Sequence, residues 1–349
     1  MGRQKWGIPE YSKTQVDKAG KSLSKTSRQD KILDDAISII NNWRAAHAYP
    51  LHVVYVHLRK MAGRSSKKPV VAERLKRLDS IVNKLMRHEG MMLSRMQDIG
   101  GCRVILPSID NVNTFTQQFM KSRIRHKLIK KDDYIAEPKE SGYRGVHLIY
   151  KYHSNSDSKK MYNEKMFVEI QFRTKLQHLW ATAVETMGLF SKQALKSGEG
   201  DDKVKYFFAL VSSLFAIIEN SPIVPNTFDN REDIISAIRA ANDEGHYLGF
   251  LSGIRVVVSH ESKKLKKDGY YLLILDYRER KLKILFYDKS RIEDANKKYN
   301  SIEKNEKYID AVLVGVDSFK ELCAAYPNYF SDIGEFISVV QREFDNVVS

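Results

Sequence analysis

Two stretches decide the fold of this chain: DIGGCRVIL at residues 98–106 and MFVEIQFR at residues 166–173. Both are apolar runs rich in β-branched and aromatic side chains, a composition typical of β-strands. The residues between and after them predict a helix at 111–121, strands at 124–130 and 146–152, and a helix at 175–189. Strands mixed with helices in this order predict an α+β fold with one mixed sheet covered by helices.

The same spacing of apolar residues predicts the other helices and strands. Upstream we expect helices at 30–46 and 58–62, a strand at 69–75, and a helix that Asp79 or Ser80 caps and that ends near Arg87. Downstream we expect a helix at 203–219, strands at 254–259, 270–277, 281–287 and 311–316, and helices at 291–299, 318–325 and 332–344. A proline-containing linker at 221–230 then divides the chain into a basic arm with helices (1–67), a main domain (68–220) and a smaller α/β domain (221–349).

The composition narrows the class of protein. The 349 residues are 42% hydrophobic and 29% charged, as in globular proteins. The chain contains no run of about 18 apolar residues and its polar start has no signal-peptide core, so we expect a cytoplasmic protein with no membrane partner. Its two cysteines, Cys102 and Cys323, are predicted to be core residues, because two thiols cannot build a disulfide framework or a cysteine zinc site.

The net charge of +15 indicates a polyanionic partner, either a nucleotide or a nucleic acid. Part of that charge lies in the N-terminal arm, which contains Lys13, Lys18, Lys21 and Lys25. Such an arm is typical of RNA contact and equally typical of a solvated tail that frays.

Basic residues also cluster where the predicted strand at 69–75 meets the next helix. Arg74, Lys76 and Lys84 suit a triphosphate, since guanidinium groups and helix N-termini both favour anions. An exposed basic helix has the same pattern, so this cluster alone indicates little.

Two acids stand inside the strand pattern. Asp98 precedes a pair of glycines at a strand entrance, where an acid can hold a metal ion and a ligand can approach the backbone. Glu169 lies within the second strand, and alternation places Gln171 and Arg173 on its face. A single strand acid is more often a solvent-facing residue, but the shared polar face favours a site.

A glycine-rich turn, SGYRG at residues 141–145, offers an exposed aromatic ring, Tyr143. A nucleic-acid base could stack on it, which is worth about 1–3 kcal/mol, or the ring could pack on the core. Two acids, flanking arginines and this ring suit magnesium-dependent transfer of phosphate groups between two nucleotides, which requires positioning and charge neutralisation.

These pieces together resemble the synthetase domain of the RelA/SpoT family over about residues 71–186. The resemblance is carried by residues 74–84, 98–103, 134–138, 142–147 and 168–174, with His178 and Trp180. It implies a nucleotidyltransferase-like fold and transfer of pyrophosphate from ATP to a ribose 3′-hydroxyl. By that resemblance Asp98 and Glu169 hold Mg²⁺, and Glu169 also activates the attacking hydroxyl.

The remaining roles are assigned on the same basis. We assign ATP contacts to Arg74, Lys76, Lys84 and Arg103, and acceptor contacts to Tyr143, Lys139, His147 and Arg173. Two positions depart from the family pattern: Asp132 stands where a basic residue is usual, and Gly145 where Ser is frequent. Both departures lie on the acceptor side, so they bear on a guanine-nucleotide acceptor (GDP or GTP) more than on ATP.

An aromatic cluster near the C-terminus, residues 326–330, contains Tyr326 and Tyr329. It suits ordinary packing at a helix junction, or two tyrosines that occupy the place of an adenine ring. With the domain before it, this tail resembles the CapRel group of fused toxin–antitoxin proteins. That resemblance implies a C-terminal domain that silences the enzyme until a phage protein, such as a capsid protein, binds it, and pyrophosphorylation of the tRNA 3′ end.

The sequence is therefore compatible with three functions. The first is a self-inhibited, tRNA-directed pyrophosphokinase that stops translation in anti-phage defence. The second is an alarmone synthetase that makes guanosine tetraphosphate or pentaphosphate. The third, an inactive RNA-binding or phage-sensing module, is disfavoured because both acids are present.

Overall fold

The computed structural model describes residues 6–25, 32–65, 67–190, 202–258, 269–276, 281–305, 309–316 and 333–346. Its helices are α1 (Lys13–Lys25), α2 (Ile32–Ala46), α3 (Ala48–Arg64), α4 (Leu78–Arg87), α5 (Ile109–Met120), α6 (Lys175–Phe190), α7 (Asp202–Ile218), α8 (Arg231–Gly245), α9 (Tyr247–Val258), α10 (Ile292–Asn305) and α11 (Gly334–Asp345). Its strands are β1 (Val70–Leu75), β2 (Gly100–Leu106), β3 (Lys127–Asp133), β4 (Val146–Lys151), β5 (Phe167–Thr174), β6 (Gly269–Asp276), β7 (Lys281–Tyr287) and β8 (Ile309–Val316).

The described strands form one mixed sheet in the order β3-β4-β5-β2-β1-β8-β6-β7. Strands β2 and β5 run parallel, and the other neighbouring pairs are antiparallel. This is the α+β fold that the sequence predicts. Strand β8 joins the C-terminal strands to β1 by placing Gly315 opposite Glu73 and Val314 opposite Arg74. The domain boundaries stay a prediction.

One face of the sheet is covered by α3 and α5. Alternate residues of β2, β4 and β5 point into this core, where Val104, Leu148 and Ile170 are fully buried. Cys102 is buried in the same core, as predicted. Because side chains alternate along a strand, the remaining residues of these strands lie on the opposite face, which we call the site face.

A second core lies among the helices that follow β5. Helices α6, α7, α8, α9 and α11 pack together around the fully buried rings of Phe207, Phe215 and Phe336. Helix α11 therefore packs against α6 although about 145 residues separate them along the chain. The helix after the strand and the C-terminal helix are thus held in one apolar cluster.

The N-terminal arm is helical over Lys13–Lys25. Val16 and Ala19 are buried, and Asp17 accepts hydrogen bonds from the backbone and side chain of Ser94, at 2.7 and 2.8 Å. This part of the arm is docked on the main domain, so the expectation of a fraying tail is wrong over these residues.

Three further expectations need correction. The segment predicted as a strand at 254–259 belongs mostly to α9, since Leu248 and Leu251 at helical spacing are buried and their packing overrides the β-branched run that follows. Helix α8 was not predicted, and α3 is longer than the predicted 58–62. Helix α4 begins at Leu78 rather than at a side-chain cap. Among the described residues, no helix is long and apolar enough to cross a membrane.

Candidate active site

Strand register brings the predicted site residues onto one face. Gly101 of β2 lies opposite Arg74 of β1 and opposite Glu169 of β5. A Cβ on Gly101 would meet only the Arg74 carbonyl oxygen, at 3.9 Å, so this glycine leaves open space between the arginine and the acid. Arg103 and Gln171 form the next row of the same face.

A pocket of about 80 Å³ occupies this place. Its lining includes both predicted acids and three of the four predicted ATP contacts: Asp98, Glu169, Arg74, Lys76 and Arg103. The two carboxylates therefore face one pocket.

Asp98 enters this pocket just before β2. Its Oδ2 accepts hydrogen bonds from Lys76 Nζ at 2.8 Å and pairs with Lys84 Nζ at 3.0 Å. Burial acts to raise the pKa of the Asp98 carboxyl, but the two ammonium groups outweigh it, so the pKa lies below its ordinary value. The predicted triphosphate contacts Lys76 and Lys84 thus hold Asp98 ionised here.

The other oxygen of Asp98, Oδ1, is buried and has no hydrogen-bond partner. A buried carboxylate oxygen without a partner is costly unless a cation or a donor meets it. Among the described residues, no group of three or more His, Cys, Asp and Glu side chains could hold a metal ion. Two carboxylates fit Mg²⁺, which is commonly held by one or two protein acids while phosphate and water oxygens complete its shell.

Glu169 is held by two donors. His147 Nδ1 lies 3.0 Å from Glu169 Oε1, and Gln171 Nε2 donates to Oε2 at 2.8 Å. Burial acts to raise the pKa of Glu169, but the hydrogen bonds from His147 and Gln171 and the attraction of His147 leave it below its ordinary value. Glu169 is therefore an oriented, ionised carboxylate inside a cleft.

A relay of side chains positions His147. Arg173 Nη2 donates to the Tyr143 hydroxyl at 3.0 Å, and that hydroxyl contacts His147 Nε2. A neutral ring with its proton on Nδ1 would donate to Glu169 and accept from the Tyr143 hydroxyl at Nε2, and a protonated ring would donate at both nitrogens. Three of the four predicted acceptor residues, Tyr143, His147 and Arg173, thus form one chain that ends at the acid.

Tyr143 is not the isolated exposed ring that the sequence predicts. It is half-buried, and its ring packs edge-on against Tyr134, His147 and Trp180, with centroids 5.4–6.5 Å apart. Lys139 Nζ lies 4.1 Å from the centre of the Tyr134 ring and 5.6 Å from that of Tyr143. These two tyrosines and Lys139 together form one wall on the acceptor side.

The loop that carries Tyr143 is anchored on α6 and α7. Gly142 has φ +89°, and a Cβ there would lie 2.7 Å from Trp180 Cζ2, so only glycine fits. Ser212 Oγ donates to the Gly142 carbonyl at 2.6 Å. The buried Arg144 forms an ion pair at 2.9 Å with Glu219, whose side chain is 9% exposed.

Sequence reasoning missed these anchors and one further acid. Glu185 of α6 lies 3.9 Å from Arg103. Burial acts to raise its pKa, but Arg103, Arg74 and neighbouring arginines lower it below its ordinary value. Glu185 and Ser212 lie on helices and Glu219 directly follows α7, and helical spacing gives no indication that these residues reach the site; a Ser or Glu within or beside an apolar helix was the available signal.

Tyr326 and Tyr329 lie outside the described residues, so their predicted place over the ATP pocket stays a prediction. Their neighbour strand β8 is described, and it pairs with β1 at Arg74. The C-terminal part of the chain therefore contacts the strand that contributes a predicted ATP residue.

Comparison with known proteins agrees with this geometry. Residues 73–193 match the model of a family described as a region found in RelA / SpoT proteins. The chain is 35% identical over 117 residues to the GTP pyrophosphokinase YjbM, and 34% identical over 114 residues to the GTP pyrophosphokinase YwaC, both from Bacillus subtilis (strain 168). The matches cover 32% and 31% of this chain, and the chain spans about half the length (52%) of each of these curated relatives.

Among solved structures, the chain is similar to small alarmone synthetase 1 from Bacillus subtilis bound to its product pppGpp. That match has 28% identity and a TM-score of 0.43, and it covers 55% of this chain and 94% of the other. Residues 73–193, which include Asp98, Glu169 and the loop of Tyr143, thus match a region found in RelA / SpoT proteins, and part of the chain is similar to part of two GTP pyrophosphokinases.

Proposed function

We propose that this protein is an ATP-dependent pyrophosphokinase. It transfers the β and γ phosphates of ATP as one group to a ribose 3′-hydroxyl. The bond between the β phosphorus and the α–β bridging oxygen breaks, a bond from the 3′-oxygen to that phosphorus forms, and AMP leaves. The observation that carries this proposal is the convergence of Asp98 and Glu169 on one pocket between basic residues and an aromatic loop.

Each side of the pocket has its own task. Arg74, Lys76, Lys84 and Arg103 neutralise and position the triphosphate. On the other side, Glu169 takes the proton of the attacking hydroxyl, because it is ionised and oriented by His147. Mg²⁺ held by Asp98 and Glu169 would supply charge neutralisation at the transferred phosphates.

We propose the 3′ end of tRNA as the acceptor. Asp132 lies opposite His147 in the strand register and pairs with Lys130 at 2.9 Å. An acid beside the acceptor site repels the 5′-polyphosphate of a free nucleotide more than the single phosphodiester at the end of an RNA. The net charge of +15 also suits a nucleic acid.

A guanine nucleotide is the second candidate acceptor. It is favoured by the two relatives called GTP pyrophosphokinases, each about one third identical to this chain over the matched region. With GDP or GTP the products would be guanosine tetraphosphate or pentaphosphate.

One assay separates the two acceptors. The Tyr329→Ala protein, in which the self-inhibition proposed below is relieved, is incubated with ATP labelled at the β phosphate together with tRNA, with tRNA whose terminal ribose has been oxidised by periodate, or with GDP or GTP. We expect label on intact tRNA and none on oxidised tRNA. Label on the guanine nucleotides alone would contradict the tRNA proposal while it supports pyrophosphate transfer.

We also propose a regulatory role for residues 221–349. They would silence the enzyme, with Tyr326 and Tyr329 over the ATP pocket, until a phage protein such as a capsid protein binds, in anti-phage defence. Strand β8 pairs with β1 at Arg74, and this contact supports direct inhibition of the ATP pocket by the C-terminal residues. Measuring ATP affinity and toxicity of Tyr329→Ala tests this: both should rise, and unchanged values would contradict it.

A further inference from the structure

A second cavity, of about 670 Å³, lies on the side of the sheet that faces away from the candidate active site. It is a groove between α3 and α5, and its lining includes Leu106 at the end of β2. Small-molecule sites are commonly about 300–1,000 Å³. None of the groove residues belongs to the proposed catalytic pocket, so this groove is a separate candidate site.

The charges of the groove are all of one sign. Arg64, Lys67 and Arg123 line it, and no Asp or Glu lies among the described residues of its wall. None of these three cations forms an ion pair with a described residue. Elsewhere on the surface, cations such as Lys130 and Lys160 do have carboxylate partners. The groove therefore presents three uncompensated positive charges around a concave surface.

His57 also lies in the wall of the groove, within reach of these charges. Burial lowers its pKa, and the nearby charges of Lys60 and Arg64 lower it further. His57 Nε2 lies 3.0 Å from Ser122 Oγ, which itself donates to the Phe119 carbonyl at 2.6 Å. The ring is thus held in the groove wall as a neutral donor to the hydroxyl.

The uncharged residues of the groove are of two kinds. Asn111, Thr114 and Gln118 of α5 offer polar groups along one wall, and Met61 and Phe115 form an apolar floor. Cations and amides suit phosphate oxygens, whereas an apolar floor suits the flat face of a base. The limited volume and this floor favour a single nucleotide over an extended nucleic acid.

We propose that this groove is a second binding site, and that its ligand is a nucleoside polyphosphate. The phosphates lie against Arg64, Lys67 and Arg123, and the base lies on Met61 and Phe115. The inference does not depend on the transfer reaction, because it concerns a site on the other side of the sheet.

The test counts ATP sites on the full-length chain. Calorimetry with ATP and Mg²⁺ uses the Glu169→Gln, Tyr329→Ala background, so that no turnover occurs and the catalytic pocket is open to ATP. We expect two sites in this background and one site after the added pair Arg64→Gln and Arg123→Gln. The matched control, Lys297→Gln with Lys298→Gln, removes the same charge from the exposed surface of α10 and should keep both sites.

A complementary variant isolates the groove. Arg74→Gln with Lys84→Gln weakens the catalytic pocket, so the remaining site should be the groove, and it should bind ATP about tenfold or more tightly than inorganic tripolyphosphate, since only ATP has a base. Two ATP sites in the Arg64→Gln, Arg123→Gln protein would overturn the proposal. Equal affinity for ATP and tripolyphosphate would overturn the assignment to a nucleotide.

Discussion

His147 Nδ1 lies 3.0 Å from Glu169 Oε1, across the antiparallel pair β4 and β5. The other ring nitrogen of His147 faces the Tyr143 hydroxyl, which accepts a hydrogen bond from Arg173. Glu169 is thus connected to the loop that is proposed to hold the acceptor. The same contacts that orient this acid also lower its pKa, so orientation and basicity are set together.

Replacing His147 should shift the pH dependence of the reaction. In His147→Leu the hydrogen bond and the attraction are lost, burial dominates, and the pKa of Glu169 rises. A base acts when it is deprotonated, so the acidic limb of kcat/KM should move to higher pH. His147→Asn, which retains a donor, is the control and should stay closer to the original profile. If the acidic limb of kcat/KM does not shift in His147→Leu, His147 does not set the pKa of Glu169.

Asp98→Asn should have opposite effects on binding and on transfer. Removing the charge frees Lys76 and Lys84, which both contact Asp98 Oδ2. We therefore expect ATP without metal, measured in the presence of a chelator, to bind at least as tightly as before. Transfer with Mg²⁺ should fall by about 100-fold or more.

The surface substitution Asp157→Asn is the control for Asp98→Asn, because it makes the same charge change at an exposed residue. It should alter neither quantity. Loss of metal-free ATP binding in Asp98→Asn would show that the aspartate supports the triphosphate site in another way.

Breaking the buried pair Arg144–Glu219 should destabilise the fold. Both partners are nearly inaccessible, and Glu219→Gln leaves the guanidinium without its counter-charge. A lone buried charge costs about 3–5 kcal/mol, and urea unfolding measures this loss. The apolar double variant Arg144→Met, Glu219→Leu should lose less than Glu219→Gln. An equal or larger loss in the double variant would mean that the pair itself is the source of stability.

Gly142→Ala should impair the acceptor loop more than the ATP side. The new methyl group would meet Trp180 and would occupy a positive φ, which together cost about 1–3 kcal/mol. We expect a higher KM for the acceptor and an unchanged ATP affinity. Gly249→Ala, where a Cβ meets nothing within 4 Å, is the matched control. Equal effects of the two substitutions would refute the anchoring role of Gly142.

Much of the sheet, and the polar residues on the site face of β5, could be predicted from sequence. Alternation along residues 166–173 correctly placed Glu169, Gln171 and Arg173 on one face, because this rule depends only on strand geometry. The shared pocket of Asp98 and Glu169 followed from the motif resemblance. The local sequence pattern was sufficient to predict structure wherever that structure depends on residues close together in the chain.

Long-range contacts could not be predicted in this way. The pairing of β8 with β1 and the anchoring of the Tyr143 loop by Ser212 and Glu219 join residues far apart in sequence. The error at 254–259 has the same origin, since packing of α9 overrode the β preference of its valines. Helix α8 did have a local signal, the Asn230 side chain that accepts from the Asp233 backbone at 2.8 Å.

The most direct test of the account follows the β phosphate of labelled ATP in the full chain with Tyr329→Ala, which relieves the proposed self-inhibition, and in the same chain with Glu169→Gln added. We expect the Tyr329→Ala protein to move label from the β position to the acceptor and to release AMP. The variant should keep its fold by circular dichroism and lose transfer by about 100-fold or more. Transfer of the γ phosphate alone with release of ADP, or full transfer by Glu169→Gln, would contradict the proposed reaction.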